Sequence, residues 1–304
     1  MKVSVLFGGS SSEKDISVLS GLSVVEAISP KYDVNSVHIT DEIRFLPEKL
    51  FDSNIVFNAL HGGFGENGDI QSFLDLHNII YTGSNAKASK IAIDKHLTKV
   101  IVESENIDTP DWITIKMDSF KKTELLNKNN NKLNYPFVIK PSNEGSTMGL
   151  SVARNVNELE KAIKYAGEFS NEIIIEEYIP GRELTVGILG NKALPVVEVI
   201  PKNELYDYES KYSKIGTKYI VPAKVSDSVI RKIQECSLKI HNLVGCRHYS
   251  RVDFKLHEDR YFFLEINSLP GLTATSLFPM AANNAGLDFP ELIDTIIKIA
   301  VIDQ

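Results

Sequence analysis

Tyr249-Ser250-Arg251-Val252-Asp253-Phe254-Lys255-Leu256, followed after a short break by Tyr261-Phe262-Phe263-Leu264-Glu265-Ile266-Asn267, reads as two strands joined by a tight turn. Val252, Phe254 and Leu256 alternate with Arg251, Asp253 and Lys255, and Phe262, Leu264 and Ile266 alternate with Phe263, Glu265 and Asn267. An antiparallel hairpin keeps both apolar sets on one side only in every second register, because a one-residue slip turns one set to solvent. A turn at Glu258-Asp259-Arg260 pairs His257 with Tyr261. It then sets Val252 opposite Ile266, Phe254 opposite Leu264 and Leu256 opposite Phe262. The same register places Asp253 across from Glu265 and Arg251 across from Asn267.

Directly opposed carboxylates have Cβ atoms about 4.5–5.5 Å apart and repel, so a positive charge is expected between them. Asp253, Glu265 and Asn267 offer only oxygen ligands, which suits Mg²⁺ or Mn²⁺ and argues against zinc. The competing reading is a solvated polar face neutralised by Arg251 and Lys255. Ser268-Leu269-Pro270-Gly271-Leu272-Thr273 follows at once. It brings a glycine turn whose N–H groups can face an anion, with Ser276 and Leu277 just beyond at a possible helix start.

Outward from this hairpin, the first third alternates strands at Lys2–Phe7, Asp33–Ile39 and Asn54–Leu60 with a helix at Ile16–Ile28, the pattern of a parallel α/β layer. Asn78–Thr82 is a candidate fourth strand. The middle offers a helix from Asp94 to about Ser104, strands at Trp112–Lys116, Tyr135–Lys140, Leu150–Ala153 and Glu172–Tyr178, and a helix at Val156–Ala166, an α+β block. After Ile179-Pro180-Gly181 come strands at Glu183–Leu189 and Ala193–Ile200, a helix at Ser226–Val244, the hairpin, and a helix at Pro290–Ile302. Asn203–Lys218 lacks an apolar period and reads as a long functional loop.

Two glycine clusters invite phosphate chemistry. Gly63-Phe64-Gly65-Glu66-Asn67-Gly68 satisfies G-x-G-x-x-G, but Asn78–Ser84 has no acidic residue for a dinucleotide ribose, so a plain turn is expected. Glu144-Gly145-Ser146-Thr147-Met148-Gly149 lies between two predicted strands and lacks the P-loop lysine. A glycine loop of that kind can fold over a triphosphate while Lys140, at the preceding strand end, neutralises charge.

The 304 residues carry 33 Lys and Arg against 40 Asp and Glu, for a net charge of −7, which lacks the basic footprint of a nucleic-acid binder. Cys236 and Cys246 have no zinc spacing and are expected to be buried spacers. Val3 to Phe7 is too short for a signal core, and Ile266–Leu287 is broken by prolines and glycines, so a cytoplasmic protein without a membrane span is expected.

Five separated stretches together resemble the D-alanine:D-alanine ligase family of the ATP-grasp superfamily. They are Phe7-Gly8-Gly9-Ser10-Ser11-Ser12-Glu13, His61 through Gly68, Lys140-Pro141-Ser142 through Gly149, Tyr206-Asp207-Tyr208 through Lys211-Tyr212, and Arg251-Val252-Asp253 through Glu265-Ile266-Asn267. They stand in family order over nearly the whole chain. The resemblance implies three domains, at 1–93, 94–181 and 182–304, with ATP between the central and C-terminal ones and a parallel α/β domain first.

The implied reaction joins two D-alanine molecules through a D-alanyl phosphate, for peptidoglycan precursor synthesis, in a homodimer. By matching positions, Lys95, Lys140 and Lys211 would meet ATP phosphates. Glu176, Glu177, Tyr178 and Ile179 would frame adenine, Glu183 the ribose, and Asp253, Glu265 and Asn267 two Mg²⁺ or Mn²⁺ ions. Glu13 would fix the first ammonium, with Ser146 and Tyr212 in the same network. Arg251 and the Gly271 N–H would stabilise the oxyanion, and Ser276 and Leu277 would take the second carboxylate. Glu177 stands where relatives often carry lysine. Tyr212 argues against a D-alanine:D-lactate ligase, whose relatives tend to lack it. A catalytically inactive ATP-grasp nucleotide-binding regulator is the remaining alternative.

Overall fold

The computed structural model describes residues 1–40, 50, 52–119, 133–145, 147–201 and 217–303. Strand β1 (Lys2–Gly8) is followed by α1 (Lys14–Ile28), β2 (Asp33–Ile39) and β3 (Ile55–Asn58). β1 lies between β2 and β3, parallel to both. All four β3 residues are buried, as expected for a parallel strand covered on both faces. The expected fourth strand is reduced to a single parallel bridge between Val56 and Tyr81.

Helices α2 (Asp69–Leu76), α3 (Ala86–Ile93) and α4 (Lys95–Ser104) lead into the middle of the chain. Asp94 both ends α3 and caps α4, accepting the Leu97 N–H at 3.0 Å and the Ser142 hydroxyl at 3.1 Å. That double use fixes the start of α4 against the glycine loop. β4 (Trp112–Lys116), β5 (Phe137–Pro141), β6 (Ser151–Ala153) and β7 (Glu172–Glu177) form an antiparallel sheet in the order β4-β7-β5-β6, with α5 (Val156–Gly167) packed on it. The glycine loop thus joins two antiparallel neighbours, as its sequence position implies.

The third sheet runs β11 (Lys218–Ile220), β10 (Val197–Ile200), β8 (Arg182–Leu189), β12 (Tyr249–His257), β13 (Arg260–Asn267), with β9 (Lys192–Ala193) on β8. The strand expected at Ala193–Ile200 is therefore divided, and Lys218 opens a strand rather than closing a loop. Helices α6 (Asp227–Val244), α7 (Leu277–Asn284) and α8 (Phe289–Ile302) complete the described elements. α8 starts on a full capping box between Asp288 and Glu291 with proline in its first turn. Its Leu292, Ile293, Ile296 and Ile297 share one core with Val3 and Phe57 of the first sheet and Val24 and Ile28 of α1.

Cys236 and Cys246 are free and buried, as expected of spacers. His248 holds a left-handed backbone at φ 63° and accepts the Gly83 N–H at its Nδ1, 2.9 Å away. Protonating that nitrogen would set a donor against a donor. Burial, helped by Arg247 and opposed by Asp303, lowers its pKa from 6.5 to about 4. The unfolded chain therefore binds the extra proton first, and this stability is complete above pH 6.5 and is lost as pH falls towards 4. Going from near pH 7.5 to near pH 5 is expected to cost about 2 kcal/mol at this site. Urea unfolding should find that cost removed in His248→Asn, whose amide oxygen can accept the same N–H and whose backbone tolerates positive φ.

Candidate active site

The hairpin reproduces the expected pairing where it matters: Arg251 with Asn267, Val252 with Ile266, Asp253 with Glu265. Between Asp253 and Phe254 the register shifts by one, so Phe254 faces Phe263, Leu256 faces Tyr261 and His257 faces Arg260. The expected pairs Phe254–Leu264 and Leu256–Phe262 and the three-residue turn are thus corrected to a bulge at Leu264 and a turn at Glu258-Asp259, where Glu258 takes φ 53°. The bulge buries Phe263 and sends Leu264 into a cleft instead.

That cleft, about 800 Å³ with its open mouth included, lies between the second and third sheets. Lys95, Lys140 and Glu144 line one wall and Glu183, Asp253 and Glu265 the other. Repulsion between the two carboxylates is relieved by separate cations. Arg251 grips Asp253 through Nε at 2.9 Å and Nη2 at 2.7 Å, and Lys95 Nζ lies 3.4 Å from Glu265. Lys255, past the bulge, pairs with Glu183 at 2.9 Å and not with the acid pair. Asn267 donates to Asp253 at 3.2 Å, and the Thr185 hydroxyl donates to the same carboxylate. Among the described residues no three His, Cys, Asp or Glu side chains cluster as a metal site. The donor set is two carboxylates and one amide, all oxygen, in keeping with a hard cation.

A second cleft, of about 1280 Å³, adjoins the first, and Leu277 lines both. Glu13, Glu66, Gly145, Arg251, Gly271 and Ser276 border it. Glu13 stands at the N-cap of α1 but makes no capping bond with its side chain, which is turned to the cleft. A Cβ at Gly145 would come within 2.8 Å of its Oε2 and one at Gly62 within 2.9 Å, so both glycines let the backbone close on the carboxylate. Glu66 is raised above the usual carboxylate range by burial, against a bond from His61 and with help from Glu13. Glu144 is raised by burial against the pull of Lys95. Glu13 and Glu66 on one cavity, with Glu144 beside it on the first cleft, make a surround that favours an ammonium group.

Ser276 caps α7 without a side-chain capping bond; its hydroxyl instead meets the Thr273 N–H at 3.2 Å and the Thr273 hydroxyl at 2.8 Å. The first N–H groups of α7, from Leu277 on, are therefore left without a side-chain cap beside the cleft that Ser276 and Leu277 line. The Leu272 N–H, next to Gly271, is held by Ser20 at 3.3 Å, which fixes the turn.

Not every expected residue reaches a cleft. Glu176 is buried between Lys140 at 2.6 Å and Lys99 at 3.0 Å. The N–H groups of Glu177 and Tyr178 bond Asp111 and Pro136 carbonyls, and Ile179 is buried. None of these four lines either cleft. Ser146, Lys211, Tyr212 and residues 203–216 of the long loop lie outside the described residues. The cluster Gly63–Gly68 is a turn, as expected: Gly63–Gly65 form one 3-10 turn, and a Cβ at Gly65 would fall 1.8 Å from the Leu60 carbonyl oxygen. Sequence reasoning passed over Lys99, Thr185 and Leu264; only Lys99, four residues after Lys95 on one helix face, left a signal.

A glycine loop between antiparallel strands, closing on a second sheet that carries facing acids, defines an ATP-grasp fold in mixed α/β architecture. Profiles described as "D-ala D-ala ligase N-terminus" and "D-ala D-ala ligase C-terminus" match residues 2–54 and 101–298. The chain belongs to the D-alanine--D-alanine ligase family. It is 42% identical over 300 residues to the ligase of Aquifex aeolicus, covering 98% of this chain and 100% of that one. It is 39% identical over 309 residues to that of Halalkalibacterium halodurans, covering 99% of each. The Bacillus anthracis ligase solved in complex with ATP superposes with a TM-score of 0.88 at 32% identity, covering 100% of this chain and 97% of that one. The VanG D-Ala:D-Ser ligase of Enterococcus faecalis gives 0.85 at 27% identity, covering 98% and 99%. No described helix is long and apolar enough to cross a membrane.

Proposed function

We propose that the two clefts act in series to join two D-alanine molecules at the expense of ATP. The observation that carries this reading is the hairpin itself. Asp253 and Glu265 open on the cleft with Lys95 and Lys140, while Arg251 and Asn267, two residues away on the same strands, open on the cleft with Glu13. A γ-phosphate held by the lysines thus ends beside an amino acid held by Glu13.

In this reading Glu13 takes the ammonium of the first D-alanine, whose carboxylate oxygen attacks the γ-phosphorus. The bond to ADP breaks and D-alanyl phosphate forms. The amine of the second D-alanine, its carboxylate on Ser276 and the Leu277 N–H, then adds to the acyl carbon. Arg251 and the Gly271 N–H hold the oxyanion until phosphate leaves and the amine loses its proton. Glu183, on the wall of the first cleft, suits the ribose hydroxyls. Two Mg²⁺ or Mn²⁺ ions on Asp253, Glu265 and Asn267 would neutralise phosphate charge. Much of the gain comes from alignment of bound partners. We read the working enzyme as a cytoplasmic homodimer with domains at 1–93, 94–181 and 182–304.

Phosphate release should require ATP, Mg²⁺ and D-alanine together, with D-alanyl-D-alanine as the product. Replacing the second substrate by D-lactate should give no depsipeptide. Absence of D-alanine-dependent release would overturn the ligase reading, and D-lactate preference would transfer the chain to the depsipeptide branch.

A further inference from the structure

We propose that Lys99, which lines neither cleft, is a positioning residue that leaves Lys140 with an uncompensated positive charge for the nucleotide phosphates. The inference rests on the nucleotide reading of the first cleft. Lys99 lies wholly buried on α4, where its Nζ donates to the Thr109 hydroxyl at 2.7 Å and the Pro110 carbonyl at 3.0 Å. It pairs with Glu176 Oε2 at 3.0 Å and lies 5.0 Å from the Trp112 ring centroid. Its ammonium thus has two hydrogen-bond acceptors, Thr109 and Pro110, and in Glu176 Oε2 an ion-pair partner that takes no hydrogen bond. Glu176 gives its other oxygen to Lys140 at 2.6 Å.

Charge counting shows why a second lysine is needed. Glu176 and Lys140 alone would be a neutral pair, and a neutral pair attracts a polyphosphate weakly. With Lys99 the buried group carries one net positive charge, and Lys140 is the member that faces the cleft. Low-dielectric surroundings make that charge count for more than it would in water. Glu176 has its carboxyl pushed up by burial but drawn further down by Lys140 and Lys99, so it stays ionised. Burial brings Lys99 down to about 8, against the pull of Glu176 and with Lys140 adding to the fall, so it is still charged at neutral pH.

The placement has a second effect. Thr109, which receives Lys99, donates its own hydroxyl to the Phe263 carbonyl at 2.9 Å, and the Phe263 N–H bonds Asp108. Lys99 therefore ties the wall bearing Lys140 to the strand bearing Leu264 and Glu265. A side chain without contact to ligand is placed to set both walls of the cleft.

Calorimetric titration with ATP and, separately, with adenosine separates charge from shape. Lys99→Met is expected to weaken ATP binding about tenfold or more while leaving adenosine affinity within about twofold. The double variant Lys99→Met with Glu176→Gln, which restores the net charge, should recover most of the ATP affinity. If the Met variant does not fold, Lys99→Gln, which keeps amide donors towards Thr109 and Pro110, carries the same charge test. Unchanged ATP affinity, or equal losses for ATP and adenosine, would overturn the inference and leave the nucleotide cleft intact. Failure of the unaltered protein to bind ATP would overturn the cleft reading itself.

Discussion

Asp253→Asn is expected to lower turnover about a thousandfold or more with the fold preserved, and Glu265→Gln to do the same. Each exchange keeps shape and removes one negative charge. Asp253 is the hub of its wall, gripped twice by Arg251 and approached by Asn267 and Thr185. An amide there sets a donor among donors and withdraws the acid that a divalent cation needs. Glu265, facing it across the hairpin, has Lys95 as its nearest cation. Steady-state turnover at saturating ATP and D-alanine, beside thermal melting, separates chemistry from folding. Wild-type turnover in both variants would remove the metal assignment.

Glu13→Gln is expected to raise the KM for the first D-alanine about thirtyfold or more, with a smaller change in kcat. Removing the charge spares the packing of Gly62 and Gly145 around the side chain. What it removes is, of the two acids on that cleft, the one against which Gly62 and Gly145 close, the proposed seat of the ammonium. Initial rates against D-alanine at fixed ATP measure it. An unaltered KM would assign the ammonium to Glu66, the other acid on that cleft.

The acid pair was legible because Val252 and Ile266 alternate with Asp253 and Glu265, and alternation allows only one phase. Beyond it, Tyr261 to Leu264 are four apolar residues in succession, a run without phase, so nothing in the letters marks the extra residue at Leu264. Helix α3 escaped notice for a related reason: Ala86–Ile93 has few large apolar residues, and its clearest mark is Asn85, whose side chain accepts the Ala88 N–H at 2.9 Å. Lys99 shows the opposite difficulty. Its spacing from Lys95 is plain, but a second lysine on a helix ordinarily signals a wetted face, and only the approach of Glu176 from β7 converts it into a buried ion. Family resemblance located Glu13 and Ser276, which alone would have been a helix-start acid and an anonymous serine.

Because α8 completes the hydrophobic layer begun by β1, β3 and α1, these early elements wait for a partner that leaves the ribosome much later. Until residues 289–302 emerge, Val3, Val24, Ile28 and Phe57 have part of their cover missing. Nascent chains halted before that point should be captured by chaperones and cut by proteases, whereas the middle sheet, with a core of its own, can settle earlier.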